Sequence, residues 1–245
     1  MKIGIISGAS SGIGKAIARE LDLLGLDELW LIARNEEKLN NLKAELKTNV
    51  RCFSVNLAFD SAHQQINSAL KEGKYEIVYL VNSAGVGYTG AFKDNSVKCI
   101  SDMIDINCRG LSLLTSISLP FLTKEGKIIN VASAAGFLPQ ADFAVYSATK
   151  SYVISFSRAL RKELKPQGIH VCAVCPGPVD TDFFANLKEV KEYKKKYLIT
   201  PEKVAKFAIK GVNKNKAICT TSLSISLLHL ASKVLPTSLL LKFAK

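Results

Sequence analysis

The chain has 245 residues, 48% of them hydrophobic, enough to bury one sizeable core and in keeping with a single α/β domain. Its formal charge of +12 admits anionic partners, but no stacking-aromatic platform or recognition motif accompanies the lysines, so nucleic-acid binding is not expected. The lysine-rich stretches 188–196 and 203–216 read first as a solvated helical face, and next as an attraction to anionic lipid surfaces or acidic substrates.

Lys2 to Ser7 is apolar and β-rich and predicts a buried first strand. A strand this near the start leaves no secretory signal peptide, so a cytoplasmic protein is expected. Ser7-Gly8-Ala9-Ser10-Ser11-Gly12-Ile13-Gly14 follows, and then a helical pattern with Ile17, Leu21 and Leu24 on one face. A strand, a Gly-rich turn and a helix N-terminus make an anion site, because glycines let the backbone approach a diphosphate and the helix amides hold its charge. The spacing is Gly-x3-Gly-x-Gly rather than the commoner Gly-x-Gly-x2-Gly. A glycine-rich turn without a ligand is the plainer alternative.

Glu28 to Ala33 predicts a second strand ending at Arg34-Asn35. A site for NAD usually has an acidic residue there for the ribose 2′-hydroxyl, and here no carboxylate comes before Glu36. A guanidinium suits a 2′-phosphate, which favours NADP(H); the alternative is an ordinary solvated arginine at a helix start. Ile77 to Val81 is the next buried strand, leading into Asn82-Ser83-Ala84-Gly85. The run Lys127 to Ala132 then ends at Ser133.

Thirteen residues beyond Ser133 stands Tyr146, and Lys150 follows in Tyr146-Ser147-Ala148-Thr149-Lys150. Positions i and i+4 share a helix face, so phenol and ammonium would point into one site. A nearby ammonium should favour the phenolate, and such a tyrosine can exchange a proton with a carbonyl oxygen. Ser133 could hydrogen-bond the same oxygen. Taken alone, Tyr-x3-Lys is a weak signal, since solvated helices often carry such pairs.

Six cysteines form no disulfide framework. Cys172-x2-Cys175 has a redox or zinc-like spacing, but on a strand these side chains point to opposite faces and no second ligand pair exists. No metal is expected. The histidines, His63, His170 and His229, are scattered and read as structural or exposed.

Together these motifs resemble the short-chain dehydrogenase/reductase family over nearly the whole chain. Ser7-Gly8-x3-Gly12-Ile13-Gly14 is similar to its TGxxxGIG, with Ser for the leading Thr, and Asn82-Ser83-Ala84-Gly85 to its NNAG. Asn107 falls at its helix asparagine, while Ser133, Tyr146 and Lys150 match its catalytic set. Pro176-Gly177-Pro178-Val179-x-Thr181 matches its PGxVxT loop. The resemblance implies a doubly wound parallel sheet, helices on both faces, with seven strands in the order 3-2-1-4-5-6-7.

It also implies roles. Tyr146 would be the general acid/base and Ser133 would orient the substrate oxygen. Lys150 would bind the nicotinamide ribose and lower the tyrosine pKa, and Asn107 would hold a water relaying protons to Lys150. Gly8, Ser10, Ser11, Gly12, Ile13 and Gly14 would surround the diphosphate. Asn82, Ala84 and Gly85 would line the adenosine side, and Pro176, Gly177, Val179 and Thr181 would hold the carboxamide end. Asn56, before Leu57, stands where the family often has an Asp contacting adenine; its amide oxygen still accepts that bond. NADPH is the implied cofactor, a small apolar carbonyl or alcohol the implied substrate, and a homodimer or homotetramer the usual assembly. The competing class is a catalytically idle dinucleotide-binding or membrane-surface scaffold.

Residues 1–221 make the expected catalytic domain, and 222–245 an apolar, basic extension. Leu223, Leu227, Leu230 and Val234 fall on one helical stripe, widened by Leu228, Ala231 and Leu235, before Pro236 breaks the helix. Leu239, Leu240, Leu241 and Phe243 begin a second apolar segment. Neither offers the ~20 apolar residues of a membrane span. Three readings compete: a lid on the substrate cleft or a dimer arm, an interfacial membrane anchor, and plain core packing. A similar extension occurs in relatives acting on long apolar carbonyls. Val86, Tyr88, Phe137, Leu138, Phe143, Phe183, Phe184 and Leu187 neighbour the motif positions that would face the substrate.

Overall fold

The computed structural model describes residues 1–183 and 198–241. Its parallel strands are β1 (Lys2–Ser7), β2 (Glu28–Ala33), β3 (Asn49–Ser54), β4 (Glu76–Asn82), β5 (Leu122–Val131), β6 (His170–Cys175) and β7 (Ile218–Thr220). They form one sheet in the order β3-β2-β1-β4-β5-β6-β7, as the resemblance implied.

Alternate residues of these strands feed two cores, one on each face. Ile6, Leu31, Val81, Ile129 and Val174 join Ile17 and Leu21 of α1 (Gly12–Leu21), Leu39 of α2 (Glu36–Glu45) and Val204 of α7 (Pro201–Asn213). Ile5, Trp30, Leu80, Ile128 and Val171 join Ile66 of α3 (Asp60–Glu72), Leu114 of α5 (Leu111–Ser118) and Leu160 of α6 (Ala144–Leu164). Burial on both faces is why the strands read as continuous apolar runs rather than alternating ones. Each fully buried aliphatic side chain contributes about 1.5–3 kcal/mol. That reserve lets the carboxyl ends of the strands be given to polar loops. The strand order reverses between β1 and β4, so those loops part there and open a crevice.

Cys172 packs into the first core and Cys175 into a cluster on the opposite face, so the two thiols do not meet as a redox or zinc pair. Burial pushes the Cys172 thiol up to about 12, which leaves it inert.

One local expectation changes. Helix α1 stops at Leu21, so Leu24 lies in the following turn and is 43% exposed instead of joining the apolar face. The tail forms α8 (Leu223–Val234) and α9 (Thr237–Leu241), broken at Pro236, and its leucine stripe faces outward, which sets aside plain core packing for that face. Leu223 and Val234 are 76% and 73% exposed. Ile225 takes the inward side instead, close against Gly177, and His229 stacks on Phe137 at 4.5 Å between ring centres. Among the described residues no helix is long and apolar enough to cross a membrane. Phe184, Leu187, Phe243 and the stretch 188–196 lie outside the described residues.

Candidate active site

The crevice is a cleft of about 1250 Å³ into which both ends of the sequence motif set open. Ser133 leaves β5 as the cap of a 3-10 turn, Ala134–Phe137, and its Oγ accepts the Ala135 N–H at 3.1 Å. That turn presses on the backbone of α6, where a side chain at Gly136 would come within 2.7 Å of the Lys150 carbonyl. Ser133 is thereby set beside the first turns of α6, which carry Tyr146 and Lys150 on one face. All three residues line the cleft. The Tyr146 ring is stacked on Phe143 at 4.2 Å and tilted against Phe183 at 5.4 Å. Gly87 leaves room for both rings, because a Cβ there would lie 2.5 Å from Phe183 and 2.8 Å from Tyr146 and force one of them to shift.

The electrostatics differ from the sequence expectation. Burial pushes the Tyr146 phenol up to about 12, and a hydrogen bond with Ser133 only partly offsets it. The ammonium does not win because Lys150 is itself buried: desolvation brings it down to about 8. Lys150 Nζ donates to the Val131 carbonyl at 2.9 Å and stands 5.7 Å from the Tyr146 ring centre. Near neutral pH the pair is therefore a protonated phenol beside a largely charged ammonium.

Asn107 sits in a π-helical turn, Asp105–Gly110, between α4 (Val97–Ile104) and α5. Such insertions re-aim side chains and recur at functional sites. Its carboxamide does not line the cleft but stands behind Gly85. Oδ1 accepts the Val86 N–H at 2.9 Å, and Nδ2 donates to the Val86 carbonyl and to Thr149 Oγ1. Thr149 in turn donates to the Tyr146 carbonyl at 2.8 Å. A Cβ at Gly85 would lie 3.2 Å from Asn107 Oδ1 and 3.4 Å from Lys150 Nζ, so this glycine is where the two groups converge.

At the other end, Gly8, Ser10, Ser11, Gly12 and Ile13 line the cleft, as do Arg34, Asn56, Leu57, Ala84 and Gly85. Gly8 and Gly12 have φ of +68° and +53°, which side chains resist. A Cβ at Gly8 would also lie 2.7 Å from the Ala84 N–H nitrogen, and one at Gly14 would overlap the Gly8 carbonyl. Gly14 thus works beneath the loop rather than on the cleft wall. Helix α1 has no acidic residue in its first turn and no side-chain cap from Ser11, so its amides keep their pull on an anion. This cradle fits a diphosphate. Pro176, Gly177, Val179 and Thr181 complete the wall, with Thr181 Cγ2 2.9 Å from a Cβ built on Gly12. Asn56 Oδ1 already accepts the Ala58 N–H at 3.1 Å, leaving its second lone pair for an adenine amino group.

Asn82 does not line the adenosine side. It is 2% exposed, and its Nδ2 donates to Thr115 Oγ1 at 2.9 Å and to Asn130 Oδ1 at 2.8 Å. Asn130 donates onward to Ser157 Oγ at 2.9 Å, so a buried polar chain ties β4, β5 and α6 beneath the cleft. Ser7 works similarly: its Oγ accepts the N–H groups of Ser83 and Ala84 at 3.1 and 3.2 Å. Thr115, Asn130, Thr149 and Ser157 carry no signal in the sequence, since an isolated hydroxyl or amide on an apolar element has no spacing to reveal its partner. Among the described residues no three His, Cys, Asp or Glu side chains gather as a metal site.

Comparison with known proteins agrees with this geometry. The profile of the short chain dehydrogenase family matches residues 2–192. An uncharacterized oxidoreductase of Staphylococcus epidermidis is 37% identical over 182 residues, covering 74% of this chain and 79% of its own. The human very-long-chain 3-oxoacyl-CoA reductase is 33% identical over 216 residues, covering 85% of this chain and 67% of its own. A short-chain dehydrogenase from Sphingobium yanoikuyae, solved in complex with NADPH, superposes with a TM-score of 0.82 at 26% identity, over 95% of this chain and 92% of that one. The chain belongs to the short-chain dehydrogenase family, oxidoreductases that work with a nicotinamide dinucleotide.

Proposed function

We propose that the protein interconverts a ketone or aldehyde and an alcohol on an apolar small molecule, with NADP(H) as cofactor. What carries the reading is the convergence of Ser133, Tyr146 and Lys150 on one cleft whose far end holds Arg34. The bound dinucleotide would supply or accept a hydride at its nicotinamide ring. Tyr146, protonated at neutral pH, is suited to give its proton to a carbonyl oxygen. Ser133 hydrogen-bonds that oxygen and orients it. Lys150 holds ribose hydroxyls and keeps a positive charge near the phenol.

Arg34 is exposed at the end of β2 and, among the described residues, has no carboxylate partner, so its guanidinium is available to a 2′-phosphate. The NADPH complex of the Sphingobium relative supports the same preference. Val86, Leu138, Phe143, Leu228 and Leu240 give the substrate end an apolar lining, and the name of the human relative points to a long apolar carbonyl compound. Tyr88 and Phe137 stand outside that lining. A homodimer or homotetramer is supported by Val97, Ile104 and Tyr152, exposed on the adjacent helices α4 and α6. The setting we propose is cytoplasmic. Oxidation of NADPH by purified protein, measured against long-chain, steroid and small aromatic carbonyls, tests the reading. Turnover of apolar carbonyls in preference to small polar ones is expected, and no turnover of any would overturn it.

A further inference from the structure

Six apolar side chains on the two terminal helices and the joint between them are turned to solvent: Leu223, Leu227, Leu230, Val234, Leu235 and Leu239 are between 42% and 76% exposed. A helix on a water-facing surface ordinarily turns such a stripe inward. Here the opposite face is fixed to the domain. Ser226 Oγ is 2.5 Å from Thr220 Oγ1, Ile225 closes on Gly177, and His229 stacks on Phe137. The helix cannot roll its leucines under without breaking all three contacts.

We propose that this face docks on an anionic lipid surface, with α8 lying in the interface rather than crossing it. The charge argues for this occupant. Residues 222–245 contain three lysines and no Asp or Glu. Lys233 on α8 and Arg158 on α6 both raise the positive field around His229. A second copy placed face to face here would bring the same local cations onto the same patch, whereas an anionic leaflet neutralises them. Each lysine near such a leaflet strengthens attachment roughly fivefold, and an apolar stripe with a basic edge supplies the two signals stable peripheral binding requires. Docking also has a consequence that rests on the proposed reaction. Leu228 and Leu240, on the inner side of the same two helices, line the substrate cleft, so its mouth would open beside the bilayer. An apolar carbonyl could then enter from lipid without crossing water.

Flotation of the full-length protein with vesicles of phosphatidylcholine and phosphatidylserine tests docking without reference to activity. Wild-type protein should float with them, float far less with phosphatidylcholine alone, and be released by added salt. The double variant Leu227→Asp/Leu230→Asp changes only exposed side chains and should keep the wild-type melting temperature, yet lose flotation by at least tenfold. Wild-type protein that stays with the soluble fraction overturns the proposal. So does a double variant that floats as well as wild type, or one that keeps flotation while splitting into smaller oligomers on sizing, since the stripe would then join copies of the chain.

Discussion

Asn107 holds the backbone of Val86 at both polar groups: its Oδ1 accepts the N–H and its Nδ2 donates to the carbonyl, each at 2.9 Å. A side-chain amide here does what a neighbouring strand would do, fixing the loop that follows β4 where it passes Lys150. Asn107→Ala leaves both groups of Val86 buried and unpaired, at a cost of about 1–3 kcal/mol for each. Thr149→Val removes the hydrogen bond from the same amide and the one to the Tyr146 carbonyl, each worth about 0.5–1.5 kcal/mol, and leaves the Val86 pairing in place. Chemical denaturation of the two variants should rank them in that order, with turnover falling further in Asn107→Ala. Equal losses would mean that the Val86 pairing is not what the residue provides.

Tyr146→Phe should bind NADPH like the parent and lose about 10²–10⁴-fold in turnover, because the ring keeps its stacking on Phe143 and only the transferable proton is gone. Fluorescence titration of the cofactor and steady-state rates separate the two effects. A variant that turns over any accepted carbonyl at the parental rate removes Tyr146 from its assigned role.

The parts of this site that were legible in the sequence are those with a period or a spacing. Continuous apolar runs marked β1, β2, β4 and β5, Gly8 and Gly12 marked the turn, and four residues from Tyr146 to Lys150 placed both on one helix face. What stayed hidden depends on contacts between distant elements. Nothing near Asn107 announces a π turn, and the close packing of Gly110 at its end, where a Cβ would lie 2.9 Å from the Leu57 carbonyl, involves a residue more than fifty positions away. The raised phenol of Tyr146 was hidden for a related reason: burial outweighed the charge that spacing alone put in view. The direction of the tail stripe stayed open because periodicity finds a face and does not say what lies opposite it.

The shifts at Tyr146 and Lys150 predict a pH dependence. Carbonyl reduction needs the protonated phenol, which persists to about 12, and the charged ammonium, which is lost above about 8. Reduction should therefore be level near neutrality and decline as pH rises through about 8. Stability moves the other way at Lys150. Its folded pKa lies below its ordinary value, so at this site the unfolded chain binds more protons between about 8 and 10.5, and the Lys150 contribution to stability rises with pH across that window, against the opposite contributions of the raised Cys108 and Cys172 thiols. Lys150→Met should remove the decline in reduction and the Lys150 share of the stability change. A reduction rate that stays flat through this window would contradict the assignment.

Arg34→Asp should weaken NADPH about ten- to a hundredfold and leave NADH unchanged or improved. A charge-assisted contact is worth about 1.5–3 kcal/mol, and the introduced carboxylate repels a 2′-phosphate while suiting a 2′-hydroxyl. Isothermal titration with both cofactors decides the matter. Equal dissociation constants for the two in the unmutated protein would end the claim of NADP preference.

Removing the tail after Thr221 tests whether α8 and α9 shape the substrate end. Both cores lie elsewhere, and the tail touches the domain mainly through Ile225 on Gly177 and His229 on Phe137, so the shortened protein should fold. The glycine turn and Arg34 are at the far end of the cleft, and NADPH affinity should change less than about threefold. The substrate end would lose Leu228 and Leu240 from its wall. Each buried leucine contributes about 1.5–3 kcal/mol where it is covered, so a ligand packed on both loses a comparable amount of binding. KM for long apolar carbonyls should rise about tenfold or more, while a small aromatic ketone held near Tyr146 keeps its KM and kcat. Leu228→Ala in the full chain should show the same split at smaller size, without altering the outward face. If both variants treat long and small substrates alike, the tail is packing and takes no part in choosing the substrate.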